Sequence, residues 1–256
     1  MPAGLVVLAT LVAAFVVVHL GLSHFRAPVV ARLGEVRFTV VQALLAWAGL
    51  GAMIAAYVAC RDQSPPGLGL GAVAGAREGA AVAMGLGLVL IVSIVGPRGY
   101  LDSAAVVFGS HTRAPRGMER ITRHPFLVGL ALLSAGHLVV APRLAGVIVF
   151  GGLLLMAVIG GPLQDRKLRA QRGAPHVAYL EATSIVPGVA LLRGRQTLVL
   201  RELPWPSLVL GVAMIAGARA LHGTAAAPWL VMGVLVLGPS WFALASAFRH
   251  HRARSA

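Results

Sequence analysis

The sequence predicts an all-α fold: a polytopic bundle of about seven transmembrane helices. Three observations predict it. The 256-residue chain is 58% hydrophobic and only 12% charged, with a mean hydropathy of +0.84, whereas soluble domains are about half apolar and about one quarter charged. Apolar runs close to the roughly 20 residues that a bilayer core requires recur along the chain. Positive charge, finally, falls almost entirely on alternate connecting segments, as it does in proteins whose cytoplasmic loops hold Lys and Arg.

The spans fall at 2–22, 38–60, 78–96, 124–141, 144–163, 203–221 and 228–248. The first lacks a basic leader and a clear small-x-small cleavage site and reads as a retained helix. The fourth and fifth form a tight hairpin, because only Pro142 and Arg143 separate them. The sixth carries Arg219, which can snorkel to the interface, and the seventh carries Pro239, a kink site. With seven crossings, 18 of the 22 Lys and Arg lie on one face, and Arg61, Arg77, Arg143 and Arg219 on the other. The N-terminus is then outside and the C-terminus cytoplasmic. Six spans, with the first or sixth segment interfacial, is the alternative. The chain divides into residues 1–202 and a C-terminal pair of helices with a basic tail, 203–256.

Composition also excludes. The net charge of +14 is read as loop charge facing an anionic leaflet, since no nucleic-acid-binding motif accompanies it. The single cysteine, Cys60, rules out an intrachain disulfide and reads as a small apolar residue at a helix end. No CxxC, HExxH, GxSxG or P-loop occurs, and 8 acidic residues, nearly all in loops, argue against paired-carboxylate catalysis. Function is expected in the two long polar loops, 97–120 and 164–202. The second opens with Asp165 and Arg166 in a basic, amphipathic pattern suited to an interfacial helix. Its Thr183 or Ser184 serves as a cap or turn former before Pro187.

Nine histidines stand out in so apolar a chain. His222, His250 and His251 read as solvated, His111 and His176 as loop-surface residues, and His24 as interfacial. His19, His124 and His137 lie in or at the ends of spans, where an ionisable residue is a functional candidate by default. Neutral imidazole is the commonest metal ligand and a standard haem ligand, and helix-bundle cores hold such cofactors. On spacing alone, His137 lies about 20 Å deeper than His124, at 1.5 Å per residue. His124 then stands closer in depth to His19.

"HLGLSHFR", "ITRHPFLVGLALLSAGHLVV", "DRKLRAQRG" and "TSIVPGVALLRGRQ", in that order, resemble the NnrU family, whose wider group includes the 15-cis-zeta-carotene isomerases of plants and cyanobacteria. The resemblance covers roughly residues 19–202. It implies an integral membrane protein of the bacterial inner membrane that binds haem b. The implied activity is redox-dependent cis–trans isomerisation of a polyene, or a part in nitric oxide and denitrification metabolism. Carried onto this chain, the haem ligands fall on His19 and His137, with His124 the alternative. Arg123, His124 and Asp165 are the implied catalytic set, and the partners are the bilayer and a hydrophobic small molecule. Two other classes remain. "RHPFLVG" with the later Asp165, His176 and Tyr179 also looks like membrane S-adenosylmethionine-dependent methyltransferases of the isoprenylcysteine and phospholipid type. A non-catalytic membrane partner protein is the third.

Overall fold

The computed structural model describes residues 2–94 and 114–221. The expected span 228–248, the residues at 95–96 that end the third span, and His111, His222, His250 and His251 lie outside the described residues. Among the described residues the chain is helical, and its one β feature is an isolated bridge between Pro66 and Arg143. It divides into two compact units: residues 2–87 with 130–160, and residues 88–94 with 114–129 and 161–221.

The first unit begins with α1 (Ala3–His24), the short α2 (Arg26–Leu33) and α3 (Glu35–Cys60). Helix α1 buries Leu5, Leu8, Val12 and Val16 along one stripe, yet leaves Val6, Val7, Val17 and Val18 exposed. A helix that is apolar on every side belongs in lipid or in a deep core. α1 and α3 pair antiparallel, with Gly4 beside Cys60 and Phe15 against Gly49. Helices α4 (Ala76–Val92), α5 (Pro125–Val140) and α6 (Leu144–Arg172) each contribute to both units.

Two glycines set the helix spacing in the first unit. A Cβ on Gly152 of α6 would run into Val12 of α1, and one on Gly136 of α5 would lie 2.7 Å from the Ala80 carbonyl of α4. Helices in lipid associate through this kind of close backbone approach rather than through hydrophobic exclusion. The α5–α6 hairpin is locked to the end of α3 by main-chain bonds: Leu144 N–H donates to Pro65 O (2.8 Å) and Gly67 N–H to Pro142 O (2.9 Å). The Ser64 hydroxyl accepts from Ala145 N–H at 2.9 Å, capping a helix start whose first N–H groups have no intrahelical acceptor.

In the second unit the chain passes through a 3₁₀ turn (Gly117–Arg120) into the start of α5. The end of α6 then leads into α7 (Ala174–Ala182), the single turn α8 (Val189–Leu192), a 3₁₀ turn (Leu200–Glu202) and α9 (Trp205–Leu221). Gly211 of α9 lies against Val89 of α4.

Among the described residues, three helical stretches are long and apolar enough to cross a membrane: Ala3–His24, Val40–Gln63 and Leu144–Arg172; α5 and α9 are shorter apolar helices. The first six expected spans each coincide with a helix, although their ends move. The fifth, expected to stop at 163, runs on to Arg172, because "QDRKLRAQR" consists almost wholly of good helix formers and the helix ends only before Gly173, at φ 63°. Pro162 sits inside α6, where it removes one ladder hydrogen bond. Arg219 is exposed in the last turn of α9, where a cation suits the helix dipole, and Cys60 is the last residue of α3.

Gly152→Leu should lower stability in detergent by about 1–3 kcal/mol or more through overpacking, and Ser64→Ala by about 1 kcal/mol through loss of the cap. Thermal unfolding followed by circular dichroism reads both; an unchanged midpoint for Gly152→Leu would contradict the α1–α6 packing.

Candidate functional site

The second unit assembles a buried polar cluster around "RGMERITRHP", residues 116–125. Its backbone is clipped to the distant "TSIVPG" segment: Arg123 N–H donates to Ser184 O (3.0 Å) and Gly188 N–H to Ile121 O (2.9 Å). The Thr122 hydroxyl donates to Ile185 O at 2.6 Å. Ser184 and Thr183 act as local turn formers, as the sequence indicates: Thr183 bonds back to Tyr179 O, and Ser184 accepts from Ala190 N–H. Pro125 occupies the first helical position of α5, where its missing N–H costs nothing. It also biases His124 away from helical conformation, and the His124 carbonyl accepts the first bond of the helix from Val128 N–H (2.9 Å).

This geometry brings together Arg123, His124 and Asp165. The Arg123 guanidinium donates to Asp165 Oδ2 through Nε (2.9 Å) and Nη2 (2.7 Å). His124 Nε2 lies 2.8 Å from Asp165 Oδ1. The side chains of Arg123 and Asp165 are each 13% exposed, and that of His124 4%. A carboxylate only accepts, so His124 Nε2 carries the proton in this contact. Gly161, one turn before Asp165 on α6, keeps the wall beside the His124 ring thin: a Cβ there would touch the imidazole at 3.5 Å.

Two further contacts ring the cluster. Glu119, 1% exposed, accepts from the Tyr179 hydroxyl at 2.9 Å, and Tyr179 stacks on His176 with ring centroids 5.5 Å apart. Arg120 clamps Glu202 through Nε (2.8 Å) and Nη2 (3.2 Å) and reaches Gln196 at 3.0 Å. Gly117 N–H also donates to Glu202; Gly117 has φ 58°, and a Cβ there would lie 2.8 Å from the Glu202 carbonyl. These bonds, Arg120 first and Gly117 next, bring the Glu202 carboxyl down to about 2 from its ordinary 4.5.

His176 corrects the sequence expectation. It was expected at the loop surface and is 1% exposed, because α7 turns it inward beside Tyr179. Glu119, Arg120 and Glu202 were not singled out from sequence. The available signal was scarcity: among 8 acidic residues, three flank the two long motifs.

His19 and His137 belong to the first unit. His19, half-buried on α1, has its ring 5.6 Å from that of Phe15. His137, half-buried on α5, bonds through Nδ1 to Leu133 O at 2.8 Å and stacks on Phe150 at 4.4 Å. A carbonyl can only accept, so Nδ1 carries the proton in this contact. A backbone carbonyl on the far nitrogen is the usual way a metal-ligating histidine is oriented. The chemistry of His137 therefore fits an axial haem ligand. His124 fits poorly through Nε2, which Asp165 occupies. Among the described residues no group of three or more His, Cys, Asp or Glu side chains is placed to hold a metal ion by itself.

Among the described residues, apolar helices of spanning length mark an integral membrane protein of the helical class. The chain belongs to the NnrU family, whose model, described as NnrU protein, matches residues 7–237. The match runs past residue 202 and covers all of α9. No curated protein and no solved structure matches the chain.

Asp165→Asn leaves the buried Arg123 without its counter-charge and should cost about 3–5 kcal/mol, measured by thermal unfolding in detergent; a change within about 0.5 kcal/mol would show that the pair is solvated. The Glu202 carboxyl is depressed, so the stability it lends is present above its ordinary 4.5 and is lost as pH falls from there toward about 2. Glu202→Gln should flatten the acid limb of the unfolding profile over that window, read by tryptophan fluorescence.

Proposed function

We propose that this NnrU-family protein would hold haem b in its first unit through His137 and His19, and act on a hydrophobic polyene as a redox-dependent cis–trans isomerase. A role in nitric oxide metabolism would rest on the same haem centre. The observation that carries the reading is the His137 Nδ1–Leu133 carbonyl bond, which orients the imidazole within apolar helices in the way a backbone carbonyl commonly orients a metal-ligating histidine.

The helix register supports His19 as the second ligand. α6 starts beside the end of α3, and α3 ends beside the start of α1, so α1 and α6 run in the same direction. His137 meets Phe150, and Gly152 meets Val12 and Val16. His19 then lies about 10 Å further along the axis, at 1.5 Å per residue. Side chains lean toward the N-terminus of their own helix. α5 opposes α1 in direction, so the two imidazoles lean toward one another. The contact of His19 with Phe15 and of His137 with Leu133 O, each one turn N-terminal, are those leans.

Bound haem b would supply a reducible iron able to act as a Lewis acid toward a polyene. The chain itself supplies imidazole ligation, apolar walls that exclude water, and a rigid α5. The Arg123–His124–Asp165 cluster, within the second unit, fixes the first turn of α5 against α6 and is the proposed catalytic set carried over from the family resemblance. In the methyltransferase reading Asp165 would be the acid of the motif; here both its oxygens are taken by Arg123 and His124. The topology we infer is seven crossings of a bacterial inner membrane, N-terminus outside, from the 18-to-4 partition of Lys and Arg.

Protein purified after expression with ample haem should show a Soret band that shifts on dithionite reduction. His137→Ala and His19→Ala should each abolish or alter it, while His124→Asn, which keeps a donor for Asp165, retains it. Colourless protein overturns the haem reading, and loss of the band in His124→Asn alone overturns the ligand pair.

A further inference from the structure

The segment between α7 and α9 has a surface that suits neither water nor a packed core. Leu192, at the end of the single-turn α8, is 88% exposed; Val186 is 61%, Leu198 49% and Leu200 58% exposed. Arg193, Arg195 and Arg201 are interleaved with them and also exposed. Of the acidic side chains described in this unit, Glu119, Asp165 and Glu202 are taken up by Tyr179, Arg123 with His124, and Arg120. Glu181 is the remaining one, and it is exposed. The face is therefore both apolar and cationic.

Its level relative to a bilayer is marked by Trp205, the first residue of α9. The indole is 48% exposed and donates Nε1–H to Leu200 O at 2.9 Å. Tryptophan at the start of an apolar helix sits at the membrane–water boundary, where ring and N–H find different surroundings. The hydrogen bond ties Leu200 to that boundary, and the Arg120–Glu202–Gln196 clamp ties the rest of the segment to the same unit.

We propose that residues 186–201 form an interfacial docking element for anionic phospholipid. Leu192, Leu198 and Leu200 enter the boundary between headgroups and acyl chains, and Arg193, Arg195 and Arg201 meet lipid phosphates. Exposed leucines next to arginines are the signature of segments that lie on a membrane. An anionic cytoplasmic leaflet attracts basic residues held within a Debye length of it. The element is fastened at both ends to the polar cluster, through Ser184 and Glu202, so lipid contact bears directly on the turn that presents His124. The proposal is independent of haem binding.

The test is the depth of residue 192. A nitroxide is attached to Leu192→Cys in a Cys60→Ser background, and the full chain is placed in nanodiscs of phosphatidylcholine with about one third phosphatidylglycerol. Power saturation should give greater accessibility to oxygen than to a water-soluble nickel chelate. The ratio should fall toward the aqueous value in phosphatidylcholine alone and in the Arg193→Gln/Arg195→Gln variant. Greater accessibility to nickel in the mixed-lipid nanodiscs overturns the proposal and assigns the face to water or a soluble protein. An equal depth with and without phosphatidylglycerol overturns the choice of anionic lipid.

Discussion

The Asp165 carboxylate organises the second unit. It sits on α6 beyond the apolar stretch and accepts from both the Arg123 guanidinium and the His124 imidazole. Each of the three groups is expensive to bury alone, and together they are tolerable because every partner is satisfied. That constraint fixes the entry of α5 against α6. It also explains why the segment just before it is so heavily bonded: successive residues from Gly117 to His124 tie to Glu202, Tyr179, Ile185 and Asp165. The resulting turn is a hub in which elements 40 to 85 residues apart in sequence are held by polar contacts, as expected where apolar burial gives helices little direction.

The two histidines of "ITRHPFLVGLALLSAGHLVV" consequently have different chemistry. His124 donates Nε2–H to a carboxylate and belongs to the polar hub. His137 donates Nδ1–H to a carbonyl of its own helix. The depth argument from sequence set His124 beside His19 as a ligand pair. It considered how far along a span each imidazole sits, and not what each nitrogen is already bonded to. Hydrogen-bond partners, rather than depth, distinguish the two histidines.

Much of the fold was legible because its signals are local. Runs of apolar residues gave six helices, although their ends moved. The Arg123–His124–Asp165 set was legible only through motif order, since its pairing spans more than 40 residues. The burial of His176 and the Glu119–Tyr179 and Arg120–Glu202 pairs were not legible. In a short polar stretch, one-residue changes of facing decide burial, and nothing periodic in "GAPHVAYLEA" says which side packs. The extension of α6 to Arg172 escaped for a related reason: a hydropathy window ends a span where charge begins, whereas a helix ends where its backbone does, here at a glycine with positive φ.

The central claim is that His137, and not His124, meets the iron. Proton-detected NMR of ferrous, low-spin protein labelled with nitrogen-15 at histidine tests it most directly, because the ring protons of an imidazole bound to haem iron are moved far upfield by the haem ring current. The account predicts that the shifted set disappears in His137→Ala and persists in His124→Asn, and that His124 instead shows a low-field Nε2 proton shielded from exchange. A ring-current-shifted set that vanishes with His124 and survives loss of His137 would contradict it.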